Sequence, residues 1–308
     1  MNQSARNAPA AQMGDSASFT KAPPGFRLPG GLTLGPVRLE VADLVRSVDY
    51  YQQVLGLHPL DRNGARATLA AQHDSTPLVE LNERPGAISV PRRGRLGLYH
   101  FALLLPERAE LGRFLAHLTT IGVYPGMSDH LVSEALYLTD PDGLGIEVYA
   151  DRPRSAWRVA GGTIAMATDP LNVEDLLATT ENTPWSGAPA GTRVGHVHLH
   201  VGDLDQAAAF FHAGLGLDRV VLGFPGALFL SAGGYHHHLG TNTWAAGAPS
   251  ATAGDARLLE WTIRLPEAAA VEGAAESLLA GGYEVRREGK DAVSTDPWGT
   301  RIRITGLT

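Results

Sequence analysis

The sequence predicts an α+β protein of two similar domains, each made from a pair of βαβββ units. Two observations lead there: a strand–helix–glycine pattern that recurs in both halves, and a fixed spacing between its copies. Leu34–Leu44 (LGPVRLEVADL) aligns with Val194–Leu204 (VGHVHLHVGDL), and both alternate apolar with other residues at the period of a half-buried strand. An amphipathic stretch follows each, Ser47–Leu55 and Asp205–Leu215, with Asp43 and Asp203 placed as helix caps. Tyr50, Tyr51, Phe210 and Phe211 fall at helical spacing and read as core, and Gly56 and Gly216 are the expected helix stops.

A second pair of units lies further along. Tyr99–Glu107 matches Leu259–Glu267, and each strand runs into a helix, around 111–118 and 271–279. Each of these units closes with an Asp-Pro-x-Gly turn and a last strand, at Asp140–Tyr149 and Asp296–Thr305, so Asp140 and Asp296 read as turn residues. Pro36 and His100 are 64 positions apart, as are His196 and Glu260. These units define domains at 33–157 and 191–308, preceded by a flexible arm at 1–32 rich in Ala, Ser, Pro and Gly. Between the domains, 158–190 is a polar linker that packs on the surface and carries a short helix near Val173–Leu177.

Composition narrows the function. A net charge of −7 and a pI near 5.9 give no footprint for a polyanion, and the basic run at Arg92, Arg93 and Arg95 reads as a solvated loop. With no cysteine, disulfides, thiolate metal sites and thiol nucleophiles are excluded. No apolar run is long enough to cross a bilayer, and a cytoplasmic location is expected.

Histidines concentrate in the second half. His196, His198 and His200 are spaced by two and face one side of a strand, an arrangement costly to bury without a function. By the same alternation His236 and His238 share a face and His237 points away. Glu260 and Glu147 each stand between apolar neighbours in a strand, where a lone carboxylate needs a metal or an ion-pair partner.

The paired units, with a GHVHLHVGDL opening and a DPxG…EVY ending, resemble the vicinal oxygen chelate superfamily. That group includes glyoxalase I, bleomycin- and fosfomycin-resistance proteins and extradiol ring-cleaving dioxygenases. YHFALLLPERAELGRFLAHL, GIEVYADRPRSAW and LFLSAGGYHHHLGTNTW are similar to bacterial two-domain catechol 2,3-dioxygenases, and the likeness spans nearly everything after residue 33.

The resemblance implies that two units form a cupped mixed sheet with outer helices, and that four strand positions face each cup. In the C-terminal domain these are His196, His238, Glu260 and Arg303; the first three would make a facial triad for Fe(II), or Mn(II), while arginine cannot ligate. Familiar extradiol enzymes often place the carboxylate on the last strand of the fourth unit, so this triad is permuted. In the N-terminal domain the positions hold Pro36, Glu80, His100 and Glu147; the last two stand where extradiol enzymes usually carry their second histidine and glutamate. The implied reaction is extradiol cleavage of a catechol with dioxygen. His198 and His236 are the candidate proton carriers, Tyr235 and Asn242 hydrogen-bonding residues, and Trp244 and Trp261 cup-lining residues. Two alternatives remain, a glyoxalase-type lyase or isomerase using the N-terminal set and a metal-free binding protein of the resistance type.

Overall fold

The computed structural model describes residues 19–181 and 183–307. Four units follow one another. The first comprises β1 (Thr33–Val41), α1 (Leu44–Gln53), β2 (His58–Asn63), β3 (Arg66–Ala70) and β4 (Val79–Glu83). The second comprises β5 (Gly97–Leu104), α2 (Arg108–Thr120), β6 (Gly126–Asp129), β7 (Ser133–Thr139) and β8 (Gly145–Asp151). A connecting segment holds β9 (Val159–Ala160), β10 (Thr163–Ile164) and α3 (Val173–Ala178). The third unit has β11 (Arg193–His200), α4 (Leu204–Ala207, continued as a π-helical turn over Ala208–Gly214), β12 (Asp218–Val221), β13 (Ala227–Ser231) and β14 (Leu239–Asn242). The fourth has β15 (Arg257–Leu265), α5 (Ala268–Ala280), β16 (Val285–Glu288), β17 (Asp291–Thr295) and β18 (Arg301–Gly306).

The caps and stops work as their chemistry requires. Asp43 and Asp203 accept the backbone N–H groups of Arg46 and Gln206, and Gly56 and Gly216 take φ of +69° and +95°. Asp140 accepts from the N–H of Asp142 and Leu144, and Asp296 from those of Trp298 and Thr300.

Each unit lays its first strand parallel to its last and folds the others back antiparallel, and two eight-stranded mixed sheets result. Their order corrects the expected pairing of consecutive units. One sheet runs β16-β17-β18-β15-β1-β4-β3-β2, uniting the fourth unit with the first; the other runs β12-β13-β14-β11-β5-β8-β7-β6, uniting the third with the second. The seams are antiparallel ladders between first strands, β1 with β15 and β5 with β11. Internal similarity shows which strands are equivalent but not which equivalents meet.

Strand alternation sorts the faces. Val37, Leu39 and Val41 on β1, like Val197, Leu199 and Val201 next to or on β11, are wholly buried in one apolar cluster shared by both sheets. Tyr51 stacks on Phe101 there, and Phe210 and Phe211 are fully buried. The opposite faces carry the polar residues of the two cups. Leu176 of α3 is buried, and α3 packs against α2.

The arm needs a correction. From Phe19 on it is packed: Phe19 enters a cluster with Val220 and Phe229, Lys21 pairs with Arg219 by backbone bonds, and Arg27 grips Asp218 at 2.7 and 2.6 Å. Leu28 and Leu32 join the main core. These apolar residues are spread among Pro and Gly without a period, so periodicity does not register them. The arm's first 18 positions lie outside the described residues.

Candidate metal centre

The centre is assembled at a seam. On β11 and β5, Ala102 pairs with His196 and His100 with His198, so His100 and His196 are diagonal neighbours on one face. On the other side Ala102 is in register with Glu147 of β8. Alanine thus stands between the two longer side chains, and its single methyl group lets them meet above it. The Nε2 atoms of His196 and His100 lie 3.1 and 3.0 Å from the same oxygen, Oε2 of Glu147. The three donor atoms all fall within 4.8 Å of one another, and the residues are 1–5% exposed.

The donor set suits a divalent cation. Two bonds of about 2.1 Å at right angles separate their outer atoms by about 3 Å, the spacing found here. The His196 Nδ1 atom is buried without a hydrogen-bond partner among the described residues, which is costly unless an ion or water engages it. Burial alone would raise the Glu147 carboxyl, but the charge of His196 and the hydrogen bonds of His100 and His196 outweigh it and hold it well below the usual range. Burial pushes His100 down, leaving a neutral ring with a lone pair to give.

Beside His100 and Glu147 opens a cavity of about 870 Å³, with His198 and His237 also on its wall and Tyr99, Phe229 and Trp244 among its aromatic lining. Asn242 sets the wall in order. The Trp244 backbone N–H donates to its Oδ1 (3.0 Å), as does His200 Nδ1 (2.7 Å); its Nδ2 therefore donates to His198 Nε2 (3.0 Å).

Residues 33–148 match the Glyoxalase/Bleomycin resistance protein/Dioxygenase superfamily. A catechol-2,3-dioxygenase of Bacillus subtilis (strain 168) is 42% identical over 268 residues, 86% of this chain and 93% of that one. The chain belongs to this superfamily. Within it, the sequence falls among the extradiol dioxygenase-like enzymes. Solved structures share the fold: a putative dioxygenase from Bacillus subtilis (TM-score 0.61, 14% identity, 91% of this chain and 86% of that one) and glyoxalase I from Zea mays (0.51, 16%, 89% and 92%).

Within this enzyme the eight positions marked by the repeat regroup. His196 joins His100 and Glu147 because units two and three share a sheet. Glu260 does not join them. It lies in the other sheet, where Arg303 donates to it at 2.8 and 3.3 Å and Arg301 and Arg38 stand 3.1 and 3.6 Å away. Its carboxylate is saturated by guanidinium groups; the ion-pair reading wins. Glu80 is likewise held by Arg38 at 2.9 Å, so the one-histidine, two-carboxylate set is not assembled. Trp261 is a core residue of that sheet rather than a cavity wall, whereas Trp244 does line the cavity.

His238 is also displaced. Its Nδ1 accepts the Ala232 N–H at 3.3 Å, and its ring lies against Tyr235, away from the cluster. The alternation argument fails because residues 232–238 form a loop: Gly233 and Gly234 take φ of +64° and +67° and interrupt the strand. His237, expected to point away, instead lines the cavity with its ring 4.1 Å from that of His196. The Gly-Gly pair was the available signal. His236 and Tyr235 sit behind this wall. His236 joins Asp151 (2.9 Å) to His237 (2.7 Å), and the Tyr235 hydroxyl bonds Tyr149 (2.7 Å) and Asp151 (3.0 Å).

Proposed function

We propose that this enzyme is an extradiol ring-cleaving dioxygenase that holds Fe(II) on His100, Glu147 and His196 and opens a catechol-type ring with dioxygen. The observation that carries the reading is the two-histidine, one-carboxylate set, of which His100 and Glu147 line a ligand-sized cavity, in a chain 42% identical to a catechol-2,3-dioxygenase. When bound, divalent iron would make the diol more acidic and carry electron density between ring and dioxygen.

The chain's own residues supply proton handling and placement. His236 Nε2 donates to the Asp151 carboxylate, so His236 Nδ1 must accept. His237 Nδ1 then donates to His236, which leaves His237 Nε2 as the lone-pair nitrogen. Burial pushes His237 well below its usual range, so it is neutral and able to take a proton from the substrate hydroxyl and return it to the opening ring. His237 is thus the proton carrier, and His236 positions it. His198 is neutral for the same reason, but its Nε2 is occupied by Asn242; it orients substrate. Tyr99 and Trp244 supply faces against which an aromatic ring packs.

The test is anaerobic iron loading with metal analysis, followed by catechol in air. One iron per chain, oxygen uptake and a yellow ring-fission product are expected. His100→Ala should lose iron and activity, and His238→Ala should keep iron. Loss of iron in His238→Ala but not in His100→Ala would overturn the ligand assignment.

A further inference from the structure

The cavity mouth carries a charge pattern opposite to that of the chain. Against a net charge of −7, three arginines line the cavity, and Glu147, the proposed ligand, is the single carboxylate in its lining. Arg95 is neutralised by Asp255 in a two-pronged pair at 2.9 and 3.1 Å. Arg92 and Arg93 are exposed at the rim and have no hydrogen bond or ion pair among the described residues. Both line the same cavity as Tyr99, His198 and His200, so they stand at its edge with uncompensated charge.

The backbone underlines this placement. Gly94 N–H bonds the Pro91 carbonyl at 2.8 Å, making Arg92 and Arg93 the two central residues of a tight turn. Arg93 holds φ +57°, a position that glycine or asparagine fills at less cost. A cavity of about 870 Å³ is also far larger than an unsubstituted catechol needs.

Resting on the ring-cleavage reading, we infer that the preferred substrate is an aromatic diol bearing a carboxylate side chain, whose anionic end is received by Arg92 and Arg93 while the diol end meets the centre. Guanidinium groups match a carboxylate in charge and in fork geometry, and a rim placement makes them selectors of substrate rather than participants in bond cleavage.

The discriminating experiment compares dihydroxyphenylacetate with its methyl ester, which has the same diol and no charge, on the iron-loaded full chain. The acid should be favoured in kcat/KM by about tenfold or more, chiefly through KM, with the preference shrinking as salt rises. In Arg92→Gln/Arg93→Asn, where asparagine tolerates the left-handed backbone, the acid-to-ester ratio should fall toward one. An ester used as well as the acid by the wild type, or a ratio untouched by the double substitution, would overturn the inference while leaving ring cleavage standing. If neither diol is cleaved, the ring-cleavage reading falls. Binding of acid and ester, followed by quenching of tryptophan fluorescence, then judges the arginines separately: tighter acid binding lost in the variant supports them, and equal binding refutes them.

Discussion

Replacing Glu260 by glutamine separates a ligand from an ion-pair hub. The carboxylate is 3% exposed and is approached by Arg303, Arg301 and Arg38. Breaking a buried charge pair typically costs about 3–5 kcal/mol. Here the cost is smaller, because Arg301 and Arg38 have side chains 41% and 36% exposed, and Arg303 keeps Glu288 and Asp291 while Arg38 keeps Glu80. About 1–3 kcal/mol remains after that discount for solvent. For a chain of this length such a loss lowers Tm by about 2–5 °C. Thermal unfolding of Glu260→Gln, alongside iron stoichiometry, is the assay. A lowered Tm with full iron occupancy is expected. An unchanged Tm with iron lost would refute the division of the two cups into an ion-pair network and a metal centre.

Other outcomes follow from neighbouring contacts. Ala102→Leu places a branched side chain between His196 and Glu147, and should abolish iron binding at an overpacking cost of about 1–3 kcal/mol, read by metal analysis and urea unfolding. His237→Ala should retain iron but lower kcat by about a hundredfold to ten-thousandfold, measured by oxygen uptake; loss of iron instead would make His237 a ligand. Burial raises Asp140 to about 7 and Asp296 to about 6, against 3.8 for an ordinary aspartate. The folded chain therefore retains protons that the unfolded chain has released, and stability falls as pH rises from about 4 through 7, then levels. Urea midpoints across this range should show that slope, and Asp140→Asn should flatten it.

Much of the architecture was legible because each unit carries its own punctuation: capping aspartates, stop glycines and Asp-Pro-x-Gly turns are local signals read by local chemistry. The partner of each first strand was not, since β1 pairs with β15 through contacts more than 200 positions apart in sequence. That single non-local fact explains why spacing within one half joins Glu260 to His196, whereas the folded chain brings His196 beside His100 and Glu147. The His236–His238 error is of another kind. Counting by two holds only while the backbone stays extended, and Gly233 and Gly234 end that condition just before the histidines.

The crossed seams bear on how the chain matures. Units two and three are neighbours in sequence and form one sheet, while units one and four, from the two ends of the described chain, form the other. The centre draws His100 and Glu147 from one half of the chain and His196 from the other. Neither half alone holds the donor set, so a chain severed in the connecting segment would regain it only when both pieces dock. Metal uptake would then report on complementation between fragments, because the candidate donor set does not exist until the two halves have found each other.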